Sequence, residues 1–196
     1  MSERVSGAAM TSPPALGILE LSSIARGITC ADAMVKRAPV RILQSRPVSP
    51  GKHLVVIVGE VAEVEEALGA GVAAAGGTLV DRLFLPQAHD ALAPLLARTA
   101  VAPLVGDRSV AIFETFTVCA AVLAADAAAK AAAVTVLELR LAVGIGGKAF
   151  FTLAGPLPDV EAAVAAAQGA IEAGLLCAVE IIAAPHDDLH GSLLFE

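Results

Sequence analysis

The feature that most restricts the fold is that the chain repeats itself. "LGILELSSIARGITCADAMVKRAPVRIL", beginning at Leu16, aligns with "VAIFETFTVCAAVLAADAAAKAAAVTVL", beginning at Val110. Glu20 falls on Glu114, Asp32 on Asp126 and Lys36 on Lys130, all at one constant offset. Further along, "PGKHLVVIVGEVAEVEEAL" aligns with "GGKAFFTLAGPLPDVEAAV", the loop before each lysine being longer in the second copy. "AHDAL" at Ala88 aligns with "PHDDL" at Pro185. Self-similarity over this length means one structural unit built twice. The division is a short N-terminal arm, expected to be disordered, over 1–14, a first domain over 15–96, a linker rich in Pro, Gly and small residues over 97–108, and a second domain over 109–196.

Each copy reads as the same string of elements. "ALGILEL" is a short apolar strand, and "SIARGITCADAMVKRA" places apolar or small residues at helical spacing, with Asp32 and Lys36 at i,i+4 on one exposed face. Pro39 ends that helix, because a proline disfavours helical geometry in the residue before it. "VRILQSRPV" and "KHLVVIVG" form a hairpin about the turn "SPG". "EVAEVEEALGAGVAAAG" is a second helix with acidic residues in its first turn, and "TLVDRLFLP" is the last strand. The second copy predicts a strand over 110–115, a helix over 118–132, a hairpin over 134–154, a helix over 158–171 and a strand over 174–183. The order β-α-β-β-α-β is the ferredoxin-like arrangement, an α+β fold with two helices on one face of a sheet. "HLVVIVG" and "AFFTLAG" are apolar at successive positions rather than alternating, so both faces of each sheet are expected to be covered.

Composition excludes several function classes. The net charge of −7 and the absence of any basic run argue against nucleic acid as a partner. The longest apolar region, "AAVLAADAAAKAAAVTVLEL", is interrupted by Asp126, Lys130 and Glu138, so no uncharged stretch reaches membrane-spanning length. The N-terminus lacks an apolar signal region, and a cytoplasmic location is the expectation. Hydrophobic residues make up 57% of the 196 residues but aromatics only 3%. A mean hydropathy of +0.76 in such a chain favours burial against neighbours. Cys30, Cys119 and Cys177 lie far apart with no CxxC, and read as small buried apolar residues. His186 and His190 stand at i,i+4 beside Asp187 and Asp188, and the preferred reading is a solvated turn or helix start rather than a metal site. Glu65 and Glu66 read as a solvated helix face, and no nucleophile–base set stands out, so the chain is not read as an enzyme.

The stretch "VGIGGKAFFTLAG" invites a phosphate-binding reading. A Walker A loop needs Gly at the position held by Ala142 and Ser or Thr at Ala149. A dinucleotide fingerprint fails for want of its third glycine, and because the loop leads into a strand instead of a helix. What remains is a hairpin tip whose glycines allow a sharp turn or a close approach to another chain.

The combination of Glu, then Asp-Ala-x-x-Lys, then a Gly-Lys hairpin tip, found in both copies, resembles the bacterial microcompartment shell domain. The resemblance spans residues 15–96 and 110–195. The chain is similar to tandem-domain shell proteins of the trimeric, propanediol-utilisation type, and its unpermuted element order argues against the permuted tandem type. The resemblance implies a homotrimer forming a pseudohexameric ring of six domains. Such rings tile with hexameric and pentameric shell proteins into a facet that small polar metabolites cross. It implies pore-lining loops at Val48, Ser49, Pro50, Gly51 and Lys52 in one copy, and at Gly144, Ile145, Gly146, Gly147 and Lys148 in the other. It implies tile-edge contacts through Lys36 and Lys130 with their partners Asp32 and Asp126. Two departures stand out. Propanediol-type trimers carry a cysteine in the first pore loop, whose three copies hold an iron–sulfur cluster. Ser49 is the matching residue here, and since these clusters favour thiolates no cluster is expected. The family's Pro-Arg-Pro-His ending lacks its arginine in both copies, Gln87 and Ala184 standing in its place. The rival reading, from the fold alone, is a small-molecule-binding regulator or enzyme on a ferredoxin-like scaffold.

Overall fold

The computed structural model describes residues 15–97 and 108–189. The N-terminal arm, nearly all of the linker, and His190 with the residues after it lie outside the described residues.

The first domain comprises β1 (Ala15–Leu21), α1 (Ile24–Arg37), β2 (Arg41–Val48), β3 (Lys52–Gly59), α2 (Val61–Ala75) and β4 (Leu79–Leu85). The second repeats the order with β5 (Ser109–Thr115), α4 (Val118–Ala131), β6 (Thr135–Leu141), β7 (Ala149–Gly155), α5 (Leu157–Ala170) and β8 (Leu176–Ile182). Each sheet is antiparallel, with orders β2-β3-β1-β4 and β6-β7-β5-β8. The equivalence extends to the caps. Ser23 accepts from the Arg26 amide at the start of α1, and Thr117 accepts from the Ala120 amide at the start of α4. Both helices end one residue before an alanine cap that turns the chain into extended backbone.

Between sheet and helices of the first domain, Leu19, Leu21, Val55 and Ile57 pack with Cys30, Met34, Val64 and Leu68. The residues alternating with these, Leu16, Ile18, Leu54 and Val56, face away from the helices and are also buried, in a second and larger cluster. The covered second face accounts for the unbroken apolar run of β3. One α-helix has no counterpart in the sequence reading: α3 (Leu92–Leu96), one short turn of helix after β4. Its Leu92, Leu95 and Leu96 join the larger cluster, and Gln44 Nε2 donates to the Leu96 carbonyl at its end. That cluster continues without a break into Val118, Val122 and Ala125 of α4 and Phe151 of β7, so the two domains share one core. Phe113 and Phe151 stack there with ring centroids 5.1 Å apart.

Candidate functional site

Two features carry the chemistry: the seam where the domains meet, and the pair of loops at one end of it.

The seam is organised by a carboxylate. Glu20 lies one residue from the end of β1, between Leu19 and Leu21, and is fully buried. One of its oxygens accepts from Lys52 Nζ at 2.6 Å and the other from the Val118 amide, the first of α4, at 2.9 Å. The carboxylate thus satisfies an orphan donor at the positive end of a helix in the other domain. Beside it the Thr117 hydroxyl donates to Asp81 Oδ2 at 2.6 Å, tying the cap of α4 to β4. Cys119, in the first turn of α4, is buried among these groups. Burial first, and then the carboxylates of Asp81 and Glu20, push its thiol well above the usual range.

At the far end of α4 the seam closes on Asp126 and Lys130. Asp126 is 4% exposed and accepts from the His89 amide at 2.8 Å. Lys130 pairs with Asp126 and donates to the Gln87 carbonyl. In the second copy, therefore, this pair grips the residues that follow β4. In the first copy the same pair, Asp32 and Lys36 at 2.6 Å, lies in water with side chains 56% and 72% exposed.

The second copy of the buried carboxylate also meets its lysine. Lys148 Nζ lies 2.9 Å from Glu114 Oε2, and this hydrogen bond, with a further one from the Cys177 thiol, holds the Glu114 carboxyl below its ordinary value. This pair is half-exposed, where Glu20 with Lys52 is closed in.

The two glycine loops touch each other. The Ser49 amide donates to the Ala142 carbonyl at 2.9 Å, and Arg46 reaches the Leu141 carbonyl at 3.4 Å. Gly147 has φ +87°, and a Cβ built on it would lie 2.7 Å from Pro50 Cδ and 3.1 Å from the Ser49 carbonyl oxygen. Glycine is required there both by the backbone and by its neighbour. Val48 is buried beneath the first loop, while Pro50 and Gly51 are exposed at its tip. In the second loop Gly144 and Gly146 are exposed, Ile145 and Lys148 are half-buried, and Gly147 is buried. Pro47, Val48, Ser49, Pro50 and Gly51 line an open groove of about 300 Å³ together with Ile24 and Val143. Thus Ser49, Pro50 and Gly147 come together, whereas Lys36 and Lys130 share no contact. Asp187 and Asp188 form a single exposed helical turn with Leu189.

None of the cysteines lies on a loop: Cys30 is in α1, Cys119 in α4 and Cys177 in β8. Burial raises the Cys30 thiol as it does that of Cys119. Among the described residues no cluster of His, Cys, Asp and Glu could hold a metal ion, and no helix is long and apolar enough to cross a membrane. Ser49 offers a hydroxyl where an iron–sulfur cluster would need a thiolate, so the donor set at the loops does not fit such a cluster.

The seam residues Glu20, Asp81, His89 and Ala142 were not assigned roles by sequence reasoning. A charged residue inside an apolar strand, twice followed by a Gly-Lys tip, was the available signal for Glu20 and Lys52.

The BMC domain family matches residues 15–88 and again 109–185. The bacterial microcompartment shell protein PduT of Citrobacter freundii is 41% identical over 89% of this chain and 95% of its own length. The carboxysome shell protein CcmK3 of Halothece sp. is 32% identical over 40% of this chain and 80% of its own, the length of a single copy. A crystal structure of a microcompartments protein from Desulfitobacterium hafniense superposes with a TM-score of 0.81 at 40% identity, covering 91% of this chain and 98% of that one. PduT and CcmK3 are shell proteins, and none of these relatives supports the regulator or enzyme reading. With both copies matched and their sheets, caps and tips equivalent, the chain belongs to the BMC domain family of microcompartment shell proteins, with two such domains in tandem.

Proposed function

We propose that three copies of this chain close into a ring of six domains, a tile of a microcompartment shell facet with a pore at its centre. The observation carrying this reading is a difference in burial between two equivalent helix faces. Val118, Val122 and Asp126 of α4 are buried against the first domain. Their repeat equivalents on α1, Ile24, Ile28 and Asp32, are exposed, Ile28 by 58%. The partner surface on the second domain is likewise open: Leu83 and Leu85 are buried, whereas the equivalent Glu180 is exposed and Ile182 is half-exposed. One chain therefore makes the domain contact once and retains both halves of a second contact. A head-to-tail interface of this kind closes when its rotation divides a full turn. Two domains per chain and a six-domain ring give three chains.

In that ring the loops at Ser49 and at Gly144–Lys148 alternate around the axis and frame the opening. Serine hydroxyls and backbone amides make it polar, suited to small polar metabolites. Ser49 leaves the axis without cluster-forming thiolates. Hexameric and pentameric shell proteins of the same compartment are the remaining partners. Electron microscopy of concentrated protein tests the reading: flat sheets of rings with a central opening are expected, and discrete particles with no ring would refute it.

A further inference from the structure

The seam within one chain also describes the seam between chains, down to individual atoms. Resting on the ring reading, we infer that Asp32 and Lys36 form a socket that takes the backbone of Ala184–His186 from the next chain. The plug and the socket each occur twice here, and each is already built. The plug in the first domain is the turn after β4: the Leu92 amide donates to the His89 carbonyl at 2.9 Å and the Ala91 amide to His89 Nδ1 at 3.3 Å. The turn after β8 is the same: Leu189 to His186 at 2.9 Å, and the Asp188 amide to His186 Nδ1 at 3.2 Å. Both sockets are carboxylate–ammonium pairs one helical turn apart. Within the chain the first plug occupies the second socket, the His89 amide on Asp126 and the Gln87 carbonyl on Lys130. The second plug and first socket remain, both exposed.

By the repeat, the next chain's His186 amide donates to Asp32 and its Ala184 carbonyl accepts from Lys36. At the other end of the same seam, Glu114 takes the Ile24 amide of the neighbouring α1, as Glu20 takes that of Val118. Because the contacts at the plug are to backbone, they do not need the arginine that Gln87 and Ala184 replace.

In a Cys177→Ser background, the pair Asp32→Cys with His186→Cys should give disulfide-linked chains on a non-reducing gel. His89→Cys with Asp126→Cys should give a disulfide inside one chain and calibrates the reach. Asp32→Ala and Lys36→Ala should each move trimer dissociation to about tenfold higher concentration, while the melting of the dilute single chain stays unchanged, since both side chains are exposed there. A protein that remains trimeric with the internal disulfide formed but no interchain disulfide overturns the socket and leaves the ring standing. A chain that is monomeric at all concentrations overturns both.

Discussion

Glu20 sits where an isolated carboxylate would be strongly disfavoured, and two charge-assisted donors hold it there: the Lys52 ammonium and the first amide of α4. Removing the carboxylate strands both donors. Glu20→Ala should therefore lower unfolding free energy by about 2–4 kcal/mol in urea titration. Glu114→Ala, at the half-exposed equivalent, should cost far less in the single chain. His53 supplies a pH dependence. It is buried with Nε2 3.0 Å from Ser45 Oγ, and burial lowers its pKa from the ordinary 6.5. The unfolded chain takes up this proton first as pH falls, so stability is fully present above 6.5 and is lost as pH drops through the depressed value. Thermal melting between pH 7 and 5 should show that decline, and His53→Leu should flatten it.

At the scale of elements, α1 and α4 are one helix in two environments. Val122→Glu should destabilise the chain by about 3–5 kcal/mol, because the new charge is buried in the seam without a partner. Ile28→Glu, at the same position in the first copy, should leave the melting of the dilute chain unchanged and abolish association in size-exclusion chromatography. The repeat made the order of strands and helices legible from sequence: helical spacing placed α1, an acidic first turn marked α2, and alignment of the copies carried both over to α4 and α5. The short helix α3 was not legible: "LAPLL" is too brief for a period and contains Pro94, and its leucines matter only through a core made by distant strands. The opposite fates of Asp32 and Asp126 were hidden for another reason. The Asp-Ala-x-x-Lys motif is the same in both copies, and only the docking of the residues after β4 buries one of them.

At the scale of the whole molecule, one chain makes the contact between its domains once and leaves the repeat-equivalent surfaces exposed. Its core runs continuously across the first seam and joins the two domains. In the proposed ring, the exposed Ile24 and Ile28 and the open turn after β8 are the surfaces that another copy would cover. The chain's high hydropathy with few aromatics suits such assembly, since Ala- and Val-rich faces approach closely. The central claim is that the open seam closes with three chains. Sedimentation equilibrium of the purified protein measures this directly. A single species of three times the 19.6 kDa chain mass is the predicted result, and a monomer or a dimer persisting at all concentrations would contradict it.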